Sequence, residues 1–226
     1  ILSISFNLNT DYFSEDLYLD PAHQFDHIQR VIVNGKLITA TEGGDINIIA
    51  LALLLHDCVP LKKDHSDVKK SASLSADRAI EILKECSISL EVRERVHHCI
   101  ACHSFSSGLE PTTLEAKIVQ DADRLDALGA IGIARLFSVS GSINRTLYDH
   151  DDPFADRRPF DDTKYALDHC FSKLLKLPDT MQTSAGVQIA RERAKFIDQY
   201  IQHLSLELNY DDNFLSSVKA LKVNEG

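Results

Sequence analysis

Histidine and aspartate side chains are the residues of this sequence whose types and spacing suit the binding of a metal ion. His23 and His27 lie four residues apart, His56-Asp57 follows a strongly apolar run, and a third group lies within residues 121–126. An ionised carboxylate beside an imidazole at the end of an apolar run is costly to bury unless something pairs with it. A divalent cation would satisfy both groups, and mixed imidazole and carboxylate ligands suit Mn, Fe, Zn, Ni or Mg.

Each of these patterns also has a purely structural interpretation. His56 could be a C-terminal helix residue favoured by the helix dipole, with Asp57 starting a loop. The pair His23 and His27 could be accidental, and Asp121 and Asp123 could be solvated. The local spacing by itself leaves metal binding and structural roles both open.

The five cysteines predict reduced thiols. Cys99-x-x-Cys102 looks like half of a zinc knuckle, but the chain has no second pair and zinc needs four ligands. Five is an odd number, which is unfavourable for a disulfide framework and typical of a cytoplasmic protein. We therefore expect a cytoplasmic protein whose cysteines are small apolar core residues.

Composition excludes several classes of protein. The chain has 226 residues, 44% of them hydrophobic, with 24 Lys and Arg against 34 Asp and Glu, which gives a net charge of −10. Binding to the phosphate backbone of a nucleic-acid polymer relies on clustered basic residues, and no such cluster dominates here. The longest apolar run, 46–55, is too short to span a bilayer, and we expect no secretory signal. We expect neither nucleic-acid polymers nor membranes as partners.

The elements that must position the histidines and aspartates are predicted to be helices. Apolar residues recur at steps of three or four, and alternation with period two never persists, so the sequence predicts an all-α fold. Ser89 and Thr163 are expected N-caps. We expect a single domain over 1–226, with a core at about 20–207, a polar tail from about 209, and loops at 58–72 and 140–162. The expected helices span residues 22–41, 45–57, 73–86, 89–103, 113–122, 124–139, 163–176 and 182–207.

In chain order, these motifs resemble the HD-domain phosphohydrolase superfamily, whose pattern is H…HD…D. The matching segments are His27-Ile-Gln-Arg-Val, Leu54-Leu-His-Asp57 and the run from Asp121 to Arg135 that begins Asp-Ala-Asp-Arg-Leu-Asp-Ala-Leu-Gly. The segments 103–106 and 165–169 are similar to those of a small bacterial branch that includes nucleoside triphosphate pyrophosphohydrolases. The resemblance covers roughly residues 20–207.

The resemblance implies a helical bundle with one metal site in a central cleft, its ligands drawn from three helices. His27, His56, Asp57 and Asp123 match the four protein ligands of one divalent metal ion. Asp57 is also expected to contact the attacking water, and His23 is expected near the site. The implied activity is metal-dependent hydrolysis of nucleotides or related small phosphate compounds.

Phosphate chemistry also needs fixed cations where negative charge develops. The candidates for binding substrate phosphates are Arg30, Lys62, Lys63 and Arg124. Alternatively, Lys62 and Lys63 belong to a solvated loop, and Arg124 braces a ligand carboxylate.

Two histidines are candidates for the acid that protonates the leaving group, or for a phosphate contact. We expect one of His98 and His103 to have such a role; the alternative is a hydrogen-bonded core histidine. Some HD nucleotidases carry a Glu three residues after the HD aspartate, where this chain has Pro60. Asp64 and Asp126 are possible substitute bases, and Asp126 ranks higher because one continuous helix would place it on the face of Asp123.

The loop at 140–162 is the last candidate element of the site. It carries Arg157 and Arg158, whose guanidinium groups match phosphate geometry, and we expect it to form a cleft wall or a lid. A surface loop or an oligomer contact with self-paired charges is the alternative. For the whole chain, the competing functions are a cyclic-nucleotide phosphodiesterase and a non-catalytic nucleotide-sensing module, and a homodimer is compatible with the sequence.

Overall fold

The structure of the protein is a computed structural model that describes residues 25–59, 70–104 and 107–210. Within these ranges the regular structure is helical, and the only paired extended backbone is an isolated parallel bridge between Thr146 and Tyr165. The prediction of an all-α fold is confirmed. The helices are α1 (Phe25–Glu42), α2 (Ile46–Leu55), α3 (Ser71–Glu85), α4 (Leu90–Ala101), α5 (Leu114–Leu125), α6 (Gly129–Ser142), α7 (Asp168–Ser172), a 3₁₀ helix (Leu174–Thr180) and α8 (Ser184–Glu207).

The chain forms two compact units. The first comprises the residues up to Asp126 together with Met181–Val187, and the second comprises Ala127–Thr180 and the residues from Gln188 onward. The single domain with a core at 20–207 stays a prediction, and most of the expected tail from 209 lies outside the described residues.

Helix α2 is the apolar centre of the first unit. It contacts α1, α3, α4 and α5, and six of its ten residues are buried. Asp45 caps its start, because the carboxylate accepts hydrogen bonds from the backbone N–H groups of Asn47 and Ile48. Four helices enclose α2, so the two residues that follow it, His56 and Asp57, are buried as well. No helix in the described ranges is long and apolar enough to cross a membrane.

Asp121 fastens α5 to the start of α8. Its carboxylate accepts hydrogen bonds from the backbone N–H of Gln182 at 2.9 Å and from both the N–H and the hydroxyl of Thr183, at 2.8 and 2.7 Å. The Thr183 hydroxyl in turn accepts from the N–H of Gly186 at 3.0 Å. These acceptors satisfy amides at the beginning of a helix that have no partner within the helix.

Arg158 orders the long connection between α6 and α7 in the second unit. Its guanidinium donates to both oxygens of Asp168, at 2.5 and 2.9 Å, and lies 4.4 Å over the ring of Tyr165. Asp168 is fully buried, so this forked ion pair compensates the cost of removing its charge from water. One arginine of the segment predicted as a loop is therefore bound to the first residue of α7.

Two of the predicted helices differ most from the observed ones. The helix expected at 124–139 begins at Gly129, because α5 continues to Leu125. The helix expected at 163–176 is only the short α7 and the 3₁₀ helix, and Thr163 is not its N-cap. The amide and hydroxyl of Thr163 donate to Asp161 in a turn instead, whereas Ser89 caps α4 as expected.

Substituting Gly186 with alanine should weaken the junction between α5 and α8. A Cβ atom at this position would lie 2.4 Å from Oδ2 of Asp121 and 2.7 Å from Oγ1 of Thr183, so these hydrogen-bonded groups must move apart. We expect Gly186→Ala to cost about 2 kcal/mol of stability and to lower Tm by about 4–8 °C in a thermal unfolding measurement.

Gly141→Ala is the matched control for this experiment. Gly141 is an exposed position in α6 where an added Cβ would meet no atom within 4 Å. Alanine favours the helix over glycine, so Tm should stay the same or rise slightly. Equal Tm values for the two alanine variants would contradict the close approach at Gly186.

Candidate metal centre

Four side chains that the sequence singles out come together in the first unit. They are His27 of α1, His56 and Asp57 at the end of α2, and Asp123 in the last turn of α5. Nε2 of His27 lies 3.3 Å from Nε2 of His56 and 3.4 Å from Oδ1 of Asp123. Nε2 of His56 lies 3.6 Å from Oδ2 of Asp57 and 3.8 Å from Oδ1 of Asp123. The donor atoms thus face one another around a common point.

The spacing of these donor atoms fits a divalent cation. The donor atoms of His27, His56 and Asp57 lie 3.3, 3.6 and 3.8 Å from one another. Three corners of a tetrahedron at these separations lie about 2.0–2.3 Å from its centre, which matches metal–nitrogen and metal–oxygen bond lengths. Donors from His27, His56 and Asp57 all lie within 4.8 Å of one another. The residues present therefore fit the ion that the sequence predicts.

The imidazole of His56 presents a lone pair to this centre. Its Nδ1 lies 2.7 Å from the carbonyl oxygen of Leu53, and since a carbonyl can only accept, Nδ1 carries the hydrogen. Burial lowers the pKa of His56 and keeps the ring neutral, so Nε2 is the unprotonated nitrogen. This is the tautomer that a metal ligand requires.

Asp123 marks the accessible side of the cluster. Its side chain keeps 27% of its surface exposed, against at most 11% for those of His27, His56 and Asp57. Burial would raise the pKa of Asp123, but the nearby imidazole groups of His27 and His56 outweigh it and hold the pKa well below its usual range. The carboxylate is therefore ionised and available to a cation.

His103 lies beside this cluster, whereas His98 is bound elsewhere. Nε2 of His103 lies 3.7 Å from Oδ1 of Asp57, and its Nδ1 donates to the carbonyl of Ile100 at 2.7 Å. Nε2 of His98 instead accepts the backbone N–H of Thr112 at 3.3 Å, and His98 lines a surface cavity of about 310 Å³.

Arg30 and Asp126 are bound to each other. The guanidinium of Arg30 donates to the Asp126 carboxylate through Nε at 2.7 Å and Nη2 at 3.0 Å, and this contact raises the pKa of Arg30. Oδ2 of Asp126 also lies 2.7 Å from Nδ1 of His27. The contact of Asp126 with both His27 and Arg30 was not predicted. Its one signal in the sequence is a repeated spacing: three residues separate His27 from Arg30, and three separate Asp123 from Asp126.

The remaining predicted site residues fall into three groups. Lys62 and Lys63, like His23 and Asp64, lie outside the described residues. Arg124 belongs to the last turn of α5, and burial lowers the pKa of its guanidinium. In the second unit, Arg158 is held by Asp168, and Nη2 of Arg157 donates to the carbonyl of Asp151 at 2.6 Å.

Cys99 and Cys102, at the end of α4, do not have the properties of a zinc ligand set. Burial raises the pKa of Cys99 to about 12 and that of Cys102 to about 11, so both thiols are protonated at neutral pH. The Cys102 thiol donates to the carbonyl of His98 at 2.8 Å. Both residues are buried and serve as small core residues.

Comparison with known proteins agrees with this geometry. A model of the HD domain family matches residues 25–128, a range that contains His27, His56, Asp57 and Asp123. The chain is 33% identical to YpgQ of Bacillus subtilis over 190 residues, or 82% of this chain and 84% of YpgQ. The crystal structure of YpgQ in complex with ADP matches with a TM-score of 0.65 and 35% identity, over 82% of this chain and 90% of that chain. The crystal structure of an HD-superfamily hydrolase from Bacillus thuringiensis matches with a TM-score of 0.65 and 35% identity, over 87% of this chain and 93% of that chain. The chain therefore belongs to the HD domain family.

Proposed function

We propose that the protein is a metal-dependent phosphohydrolase that acts on nucleotides or on related small phosphate esters and anhydrides. The observation that carries the proposal is the meeting of two imidazole nitrogens and two carboxylates, from three separate helices, around one point. A divalent ion held there (Mn, Mg, Fe, Ni or Zn) would supply a Lewis acid for a phosphoryl oxygen and would favour ionisation of the attacking water.

Asp57 and His103 are suited to handling the proton of the attacking water. Oδ2 of Asp57 faces His27 and His56, while its Oδ1 faces Nε2 of His103. Because Nδ1 of His103 already donates to a carbonyl, Nε2 is the ring nitrogen that can take up a proton. We assign Asp57 the orientation of the water, and His103 the transfer of its proton towards the leaving group.

The proposed substrate class is a nucleotide. YpgQ, which is 35% identical to this chain, has been crystallised in complex with ADP. This relationship favours a nucleotide over a phosphate ester that lacks a nucleoside. In a chain with a net charge of −10, such a substrate needs local cations, for which Lys62, Lys63, Arg124 and Arg157 are the candidates. The five free thiols suit a reducing compartment, so we also place the protein in the cytoplasm.

A hydrolysis screen with added metal ions tests this function. The purified protein is supplied in turn with each candidate ion and with nucleoside triphosphates, monophosphates, cyclic nucleotides and an aryl phosphate. Release of pyrophosphate or phosphate from a nucleotide, absent in His56→Ala, is the expected result. Ring opening of a cyclic nucleotide would identify a phosphodiesterase instead. A folded, metal-loaded protein that hydrolyses none of them would be a nucleotide-sensing module.

The HD pair should be needed for metal binding. We expect His56→Ala and Asp57→Ala each to reduce the bound metal from close to one ion per chain to almost none, because each removes a donor atom of the cluster. Elemental analysis of the purified variants measures this. His98→Ala is the control and should keep the metal, since its imidazole is bound to Thr112. Wild-type metal content in Asp57→Ala would show the ligand assignment to be wrong.

Asp123 and Asp121 should respond differently to the same substitution. Asp123→Asn should lose both metal and hydrolysis, because an amide is a poorer ligand than a carboxylate. Asp121→Asn should keep most of both and instead lower Tm, since an amide cannot accept all the hydrogen bonds from Gln182 and Thr183. The two variants are compared in metal content, kcat and Tm. Equal losses of metal in both would count against the distinction.

Arg157 and Arg158 of the 140–162 segment should respond differently to substitution with alanine. We propose that Arg157 binds a substrate phosphate, so Arg157→Ala is expected to raise KM for a polyphosphate substrate several-fold without removing the metal. Arg158→Ala should mainly lower Tm, because it leaves the buried carboxylate of Asp168 without its forked partner. Steady-state kinetics and thermal unfolding measure the two effects. An unchanged KM in Arg157→Ala would show that Arg157 does not bind the substrate.

A further inference from the structure

The imidazole of His27 is held between two carboxylates that come from one stretch of chain. Oδ1 of Asp123 lies 3.4 Å from Nε2, on the side of the metal cluster, and Oδ2 of Asp126 lies 2.7 Å from Nδ1, behind it. Asp126 follows the last residue of α5, and its side chain is 2% exposed. The end of α5 therefore contacts both nitrogens of the same ring.

Arg30 supplies the charge that lets this carboxylate be buried. It lies three residues after His27, on the same face of α1, and donates to both oxygens of Asp126 at 2.7 and 3.0 Å. A buried carboxylate without such a partner would favour its protonated form. An ionised carboxylate can only accept hydrogen bonds, so the contact at 2.7 Å requires that Nδ1 of His27 carries the hydrogen.

We infer that Asp126 is the positioning residue of His27, and that Arg30 supports Asp126 rather than binding a substrate phosphate. The inference rests on the proposed metal-dependent function. A neutral imidazole in water prefers the tautomer with hydrogen on Nε2, which cannot bind a metal through that atom. Asp126 reverses the preference, turns the Nε2 lone pair towards Asp57 and Asp123, and makes that nitrogen more basic.

The tautomer of His27 gives a test that needs neither metal nor activity. Long-range ¹H–¹⁵N spectra of the metal-free protein, recorded at a pH where the imidazoles are neutral, distinguish hydrogen on Nδ1 from hydrogen on Nε2. We expect hydrogen on Nδ1 of His27 in the wild type and on Nε2 in Asp126→Ala. Hydrogen on Nδ1 in that variant too would overturn the inference.

Titration of the metal-free protein with Mn²⁺ gives the second measurement. Loss of a carboxylate behind a metal-binding histidine typically costs 10- to 100-fold in affinity, and we expect Asp126→Ala to weaken Mn²⁺ binding by this factor. The Mn²⁺ affinity of Asp126→Asn should lie between those of the wild type and Asp126→Ala, because the amide oxygen can still accept a hydrogen bond from Nδ1 but carries no negative charge. Arg30→Met, which keeps much of the apolar stem, should weaken binding several-fold. If Asp126→Ala does not fold, the asparagine variant and Arg30→Met carry the test.

Asp121→Ala is the matched control, since it removes another buried carboxylate from the same helix. It should lower Tm through the loss of its bonds to Thr183, yet leave the His27 tautomer and the Mn²⁺ affinity unchanged. His56→Ala is the reference for the metal site. If His56→Ala loses Mn²⁺ while Asp126→Ala binds it as the wild type does, the inference about Asp126 is wrong but the proposed metal centre stands. If His56→Ala also binds normally, the proposed metal centre fails and the inference with it.

Discussion

The burial of polar ligands at the end of the apolar helix α2 is the constraint on which the first unit depends. His56 is completely buried and Asp57 almost so, and neither position is favourable for a lone charge. Directed contacts offset this cost. The carbonyl of Leu53 accepts a hydrogen bond from Nδ1 of His56, and α1 and α5 contribute further imidazole and carboxylate groups. A cation at the common point would complete this balance of charge. The apolar helices fix where the polar groups meet.

Helix α5 assigns different tasks to three carboxylates by their position around the helix. Successive residues are about 100° apart, so Asp121 and Asp123 point in clearly different directions. Asp121 faces the start of α8, where it accepts backbone hydrogen bonds. Asp123 faces the histidines, and Asp126, just past the helix end, lies behind His27. One short acidic run thereby stabilises a helix junction and forms two sides of a candidate metal centre.

Much of the fold could be predicted from the sequence, because helical periodicity is a local property. The caps at Asp45 and Ser89 follow the same local chemistry, although only the second was expected. The break after Asp126 could not be predicted, since Leu125 and Leu128 continue the apolar pattern. The structure shows Leu128 in an extended conformation and Gly129 with a φ of +70°, which a continuous helix excludes. Local pattern carries no information about such a change of direction.

The candidate ligands could be identified from order and residue type, but their supporting contacts could not. Arg30 and Asp126 are 96 residues apart, and their contact exists only once α1 packs on α5. An arginine near a predicted phosphate site is naturally assigned to phosphate, and only the fold shows it bound to a carboxylate. Arg158 is a similar case, because its partner Asp168 depends on the path of the chain between α6 and α7.

The separation of 99 residues between His27 and Asp126 has a consequence for synthesis on the ribosome. At about 5–20 residues per second, Asp126 follows His27 by on the order of 5–20 s. During that interval the nascent chain already contains the imidazoles and the HD pair but lacks the carboxylates of α5. A cation bound to the complete cluster would stabilise only chains in which α5 has docked, by about 2.7 kcal/mol at a free concentration 100 times its Kd. Tight binding of the ion would therefore require that the chain has been synthesised through α5 and that α5 has packed against α1 and α2.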